Sequence, residues 1–60
     1  MFKKGSKLIL YVKENGDVTQ YYNNTVIQYE EGLLKVRDMN NKELIYNVHS
    51  LNFIKAEIQD

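Results

Sequence analysis

The sequence predicts a small all-β domain, five strands in a strongly bent antiparallel sheet or barrel, and three observations carry that expectation. Its apolar residues fall in short runs rich in Ile, Val, Leu and Tyr, too short for confident helices. Asn15-Gly16 and Glu30-Glu31-Gly32 punctuate those runs at hairpin spacing. The chain of 60 residues has no proline and no cysteine, so nothing in it demands a kink, a disulfide or a thiolate metal site.

Residues 7–12, Lys7-Leu8-Ile9-Leu10-Tyr11-Val12, are a compact β-prone run that ends at Glu14-Asn15-Gly16-Asp17. Asn-Gly is the strongest short-range hairpin signal, so the first two strands are expected to pair. The second strand resumes at Asp17 or Val18 and reaches Tyr29, long for one strand. The polar pair Asn23-Asn24 in its middle predicts a bend or bulge, the device by which a short chain curls a sheet. Gly32 supplies the positive φ for the next turn. Residues 33–37 follow as strand three, Asp38-Met39-Asn40-Asn41-Lys42 as a turn, and residues 43–48 as strand four. His49-Ser50-Leu51 reads as a 3₁₀-like corner, and residues 52–58 as strand five, with Ile54, Ala56 and Ile58 inward. Leu51, Ile54 and Ile58 also sit at helical spacing, which leaves a helix over 51–58 as the competing assignment. The expected core is Leu8, Leu10, Val12, Val18, Ile27, Leu34, Val36, Leu44, Tyr46, Ile54 and Ile58. Phe2, Ile9, Tyr11, Tyr21, Leu33, Ile45 and Phe53 fall on the opposite faces.

With no internal repeat and no shift in composition, residues 1–60 read as a single domain whose first six residues form a flexible basic arm. A chain this short buries only about 60% of the surface its unfolded form exposes. Without cysteine, and with His49 as the only histidine, self-association is the remedy left for a thin stability margin. A homo-oligomer is therefore expected. No run approaches the roughly 20 apolar residues of a membrane span, and the start of the chain lacks the apolar stretch of a signal peptide. A cytoplasmic location follows as the expectation, under which the glycosylation acceptor Asn23-Asn24-Thr25 is idle. Seven Lys, seven Asn, five Ile and five Tyr favour AT-rich codons, and with them a low-GC bacterium, a phage or a mobile element.

Eight basic residues balance eight acidic ones, so the chain exerts no long-range pull on a phosphate backbone. Catalysis is not expected. A nucleophile needs an adjacent base, and a metal site needs several converging His, Cys, Asp or Glu ligands. One histidine is present, and Glu14, Asp17, Glu30, Glu31, Asp38, Glu43, Glu57 and Asp60 are scattered over turns and outward positions. No cofactor and no metal are called for. The remaining candidates are contact residues. Tyr21, Tyr22 and Tyr29 cluster with Asn23 and Asn24 on the bent strand, where large amphipathic rings and amides make a generic binding surface. Phe53 and His49 join that set, His49 as a pH-sensitive contact or a corner residue bonded to backbone. Lys3, Lys4 and Lys7 flank Gly5-Ser6 as a possible anion contact, although Gly5-Ser6-Lys7 lacks the spacing of a phosphate loop.

Leu8 to Val12 with Asn15-Gly16, then Thr25-Val26-Ile27-Gln28-Tyr29-Glu30 leading to Leu33-Leu34-Lys35-Val36, and finally Tyr46-Asn47-Val48-His49-Ser50, resemble in order and turn placement the SH3-like and Sm-like small barrels. The order of features looks most like the Sm-like RNA chaperones of bacteria, the Hfq family. Two departures stand beside the resemblance. Asn23-Asn24 occupies the stretch where that family has a bending glycine, and Tyr46-Asn47-Val48-His49 lacks the lysine of its Tyr-Lys-His signature. The resemblance implies the barrel and a ring-forming edge pairing, and no RNA-contact residue carries over. Neutral charge and the aromatic-amide face favour a protein-binding module, an inhibitor or adaptor acting on a host protein. Sm-like RNA binding and sequestration of a small ligand or nucleotide are the alternatives.

Overall fold

A computed structural model describes residues 2–59; Met1, at the tip of the expected arm, and Asp60 lie outside the described residues. Five strands, β1 (Lys7–Glu14), β2 (Asp17–Glu30), β3 (Leu33–Arg37), β4 (Glu43–Asn47) and β5 (Phe53–Ile58), form one antiparallel sheet in the order β4-β3-β2-β1-β5. There is no helix among the described residues, so residues 53–58 are a strand and the helical alternative falls. Nor, accordingly, is any helix long and apolar enough to cross a membrane.

The turns are where local chemistry placed them. Asn15 and Gly16 both take positive φ (53° and 85°), as do Glu31 and Gly32 (51° and 80°), which makes each a two-residue turn whose twist matches the flanking strands. The β3–β4 connection is organised by Asp38, whose Oδ1 accepts from the backbone N–H groups of Asn40 (2.8 Å) and Lys42 (2.9 Å). Asn41 supplies the left-handed residue there, at φ 63°.

Three bulges curl the sheet. Leu8 pairs with Asn24 but Leu10 with Tyr21, so Tyr22 and Asn23 together oppose Ile9. Val26 pairs with Val36 but Gln28 with Lys35, leaving Ile27 as the extra residue. On β5, Lys55 pairs with Tyr11 and Phe53 with Val12, leaving Ile54 out of register. Each extra residue bends its strand and reverses the inward phase beyond it. The first half of β2 therefore pairs with β1 alone, whereas residues 25–30 pair with β3.

The core lies inside the curl. Leu8, Leu10, Val12, Val26, Leu34 and Val36 are buried, and Phe2, Tyr29, Leu44, Tyr46, Val48, Phe53 and Ala56 pack around it. The expected core needs four corrections. Val26 is buried where Ile27 was expected, because the extra residue at Ile27 resets the phase; Ile27 is half-buried. Val18 is exposed because it pairs with the exposed Lys13, on the face of the hairpin opposite the buried Val12. Ile54 is exposed because it is the residue looped out of the β5 register. Ile58 pairs with Leu8 at the end of an edge strand, where nothing covers it, and is exposed as well. Conversely, Phe2 and Phe53 pack on the core and not on the far face.

β4 ends at Asn47, one residue earlier than expected, and β5 begins at Phe53, one later. The segment between them makes two separate turns, with Ser50 N–H donating to Asn47 O (3.0 Å) and Phe53 N–H to Ser50 O (3.1 Å). A 3₁₀ helix does not form. Asn52 N–H donates to Ser50 Oγ instead, which diverts a donor a continuous 3₁₀ turn would use, while His49 N–H donates to Asn47 Oδ1 at the start of the segment. No backbone pairing joins β4 to β5 among the described residues; the Tyr46 and Phe53 rings, with centroids 6.3 Å apart, meet across the gap. Residues 2–6 lie against β2: Gly5 N–H donates to Val26 O, Val26 N–H to Ser6 O (both 2.9 Å), and Phe2 packs on Tyr29 with centroids 4.8 Å apart.

Candidate functional site

The bulge at Tyr22-Asn23 positions the site. Asn23 adopts a left-handed conformation, φ 61°, which asparagine tolerates better than most residues. Its backbone N–H donates to Gln59 Oε1 (2.8 Å), and Gln59 Nε2 donates to Asn23 Oδ1 (2.6 Å). Asn24, 1% exposed, donates from Nδ2 to Tyr21 O (2.9 Å). The two asparagines thus clamp the bulge from both sides, the Asn24 amide engaged with the backbone and the Asn23 amide with the side chain of Gln59.

Released from β3, the hairpin arm of β1 and β2 stands away from the β3–β4 turn, and a cleft of about 570 Å³ opens between them. Tyr21, Tyr22, Gln20, Asn24 and Glu14 line it from the arm, and Asp38, Met39, Asn40, Leu44 and Tyr46 from β3–β4. Met39 sits at the turn tip with 71% of its surface exposed, and Tyr22 is 51% exposed. The Tyr21 hydroxyl donates to the Glu14 carboxylate, 2.8 and 2.9 Å from its two oxygens, and Tyr22 donates to Gln20 Oε1 (2.7 Å). That bond to Glu14, with burial and the carboxylate charge behind it, pushes the Tyr21 hydroxyl above the ordinary phenol range. Tyr46 is pushed up by burial first, and then by the charges of Glu14 and Asp38. The cleft is therefore walled by aromatic and apolar side chains, with the carboxylates of Glu14 and Asp38 among them.

Of the residues singled out from the sequence, Tyr21, Tyr22 and Asn24 meet in this cleft, and Asn23 stands behind them in the bulge. Tyr29 is elsewhere, packed on Phe2. Phe53 faces Tyr46 and lines an adjoining groove of about 340 Å³ with Val12, Ile45 and Asn52, which shares Glu14 and Tyr46 with the cleft. His49 lies over Gly32. Lys3, Lys4 and Lys7 are exposed on and beside the arm, away from the cleft lining. Sequence reasoning missed Glu14, Gln20, Asp38, Met39, Asn40, Leu44 and Tyr46 as site residues. Met39 alone carried a signal, an apolar side chain in the middle of a polar turn. No group of three or more His, Cys, Asp or Glu positioned to hold a metal ion occurs among the described residues. No family model matches the chain, and neither a curated protein nor a solved structure is found to be similar to it.

Proposed function

We propose that this chain is a non-enzymatic binding module, an inhibitor or adaptor, that holds a protein partner in the cleft between the β1–β2 arm and the β3–β4 turn. The observation that carries the reading is the lining itself. Three tyrosines, a methionine and a leucine converge with three amides in one concavity, and Tyr and Met are enriched in protein interfaces because they give large contact areas at low ordering cost. The carboxylates of Glu14 and Asp38 weigh against a phosphate-bearing occupant, whether RNA or nucleotide, since each would repel it. Leu33 and Ile45 are exposed on the outer face beside the unpaired edge of β4, which supports self-association there.

The test is capture from a bacterial lysate on wild-type protein and on a Tyr22→Ser, Met39→Ser variant, which alters exposed side chains only. A defined protein retained by the first and lost from the second is the expected result. Copurifying nucleic acid or metabolite, with no protein that distinguishes the two baits, refutes the reading. Thermal midpoint should rise with protein concentration, and Ile45→Ser should abolish that rise.

A further inference from the structure

The outer face of the same molecule carries a worked example of cation recognition. The Tyr11 hydroxyl donates to Glu57 Oε1 (2.7 Å), Lys55 Nζ stands 3.3 Å from Glu57 Oε2, and the same ammonium lies 4.7 Å from the centre of the Tyr11 ring. Ring, carboxylate and cation form a closed set. The carboxylate fixes the ring through its hydroxyl and balances the ammonium, and the ring face supplies a second attraction.

The cleft repeats the first two members of this set. Tyr21 donates to Glu14 as Tyr11 does to Glu57, both rings are partly exposed, and both pairs bridge neighbouring strands. The third member is missing. No lysine, arginine or histidine lines the cleft, and Glu14 has no cationic partner among the described residues. A second carboxylate, Asp38, faces in from the opposite wall, with Oδ1 committed to the turn. Lys13, adjacent to Glu14 in sequence, lines the neighbouring groove beside Glu14 and Tyr46, but it is absent from the cleft lining and forms no ion pair with Glu14.

Resting on the protein-binding reading, we infer that the cleft takes a lysine or arginine side chain of the partner, its cationic head between Glu14 and Asp38 and its aliphatic stem along Tyr21, Tyr46 and Met39. The stem accounts for the apolar walls, since long basic side chains bury their methylenes while the head stays polar. A purely apolar side chain leaves the carboxylates desolvated and unbalanced.

A random peptide library displayed on phage, selected against the full chain, tests this. Selected peptides are synthesised and mapped by amide chemical shifts. The expected result is cleft binders enriched in Lys or Arg, whose affinity falls about tenfold when that residue is replaced by norleucine and by a similar factor in Glu14→Gln, the size of one charge-assisted contact. Tyr21→Phe, which keeps the ring and drops the bond to Glu14, should weaken them less. Glu57→Gln, on the outer face, should leave them unchanged. Binders that shift the cleft but show no basic enrichment and ignore Glu14→Gln overturn this inference and leave the protein-binding reading standing. A library that yields no cleft binder overturns both.

Discussion

Replacing Asn24 with alanine tests whether the bulge, and so the cleft, depends on one buried amide. Asn24 is the only polar residue among the buried side chains of the described residues, and its Nδ2 donates to Tyr21 O at 2.9 Å, three residues back along the same strand. Alanine deletes that bond, worth about 0.5–1.5 kcal/mol net, and empties the buried space the amide filled, which adds about 0.5–1 kcal/mol. The sum is about 2 kcal/mol. For a domain of this size each 1 kcal/mol moves the thermal midpoint by about 4–8 °C, so Asn24→Ala should lower it by about 8–16 °C. Urea unfolding followed by far-UV circular dichroism would read the same loss as a shift in midpoint at unchanged slope. Asn24→Asp separates the hydrogen bond from the volume. Its carboxylate turns an acceptor towards the Tyr21 carbonyl, so it should be at least as damaging at neutral pH, and it should recover in acid, where the protonated carboxyl can donate. A loss below about 0.5 kcal/mol for Asn24→Ala, or an Asn24→Asp variant indifferent to pH, would refute the idea that this amide holds the bulge.

Three further outcomes follow from the geometry. Gly32 stands at φ 80° with the His49 ring 2.6 Å from where a Cβ would sit, so Gly32→Ala should cost about 1–2 kcal/mol for the left-handed backbone and also swing the imidazole away. Combining it with His49→Ala should recover only the contact part, and equal losses in both backgrounds would show that the ring does not matter. Glu31, its partner in the turn, holds φ 51° without glycine's freedom; Glu31→Asn should stabilise by several tenths of a kcal/mol in the same unfolding assay. Glu43 accepts from Arg37 (2.9 Å) and pairs with Lys35 (3.3 Å), and those bonds hold its carboxyl below the ordinary range. A depressed carboxyl stabilises the fold fully above its unfolded pKa and loses that contribution as pH falls through the lower, folded value. Glu43→Gln should therefore flatten the acid limb of the stability profile, an effect that salt weakens.

The secondary structure was legible because its signals are local. Asn15-Gly16 and Glu31-Gly32 can satisfy two consecutive positive φ values, and Asp38 can cap its own turn, so three of the four connections are decided within a few residues. Strand alternation likewise identified Leu8, Leu10, Val12, Leu34 and Val36, which lie on stretches without an inserted residue. The fourth connection makes two separate turns and not a 3₁₀ corner because the Ser50 hydroxyl takes the Asn52 amide donor.

What tertiary structure alone decided is the phase of the bulged strands and the membership of the cleft. Whether Val26 or Ile27 turns inward depends on β3 pairing past an extra residue, and whether Ile54 does depends on β5 skipping one against β1. Both are properties of two strands together, and no single stretch encodes them. The sequence by itself determined the strand count, the turn chemistry and an aromatic-amide cluster at residues 21–24. That Asn23 and Asn24 would serve as the clamp, and that Glu14, Asp38 and Met39 would face Tyr21 across a cleft, required the curl. Residues far apart along the chain carry no local signal of each other, and a bulge of one residue reverses every side chain beyond it.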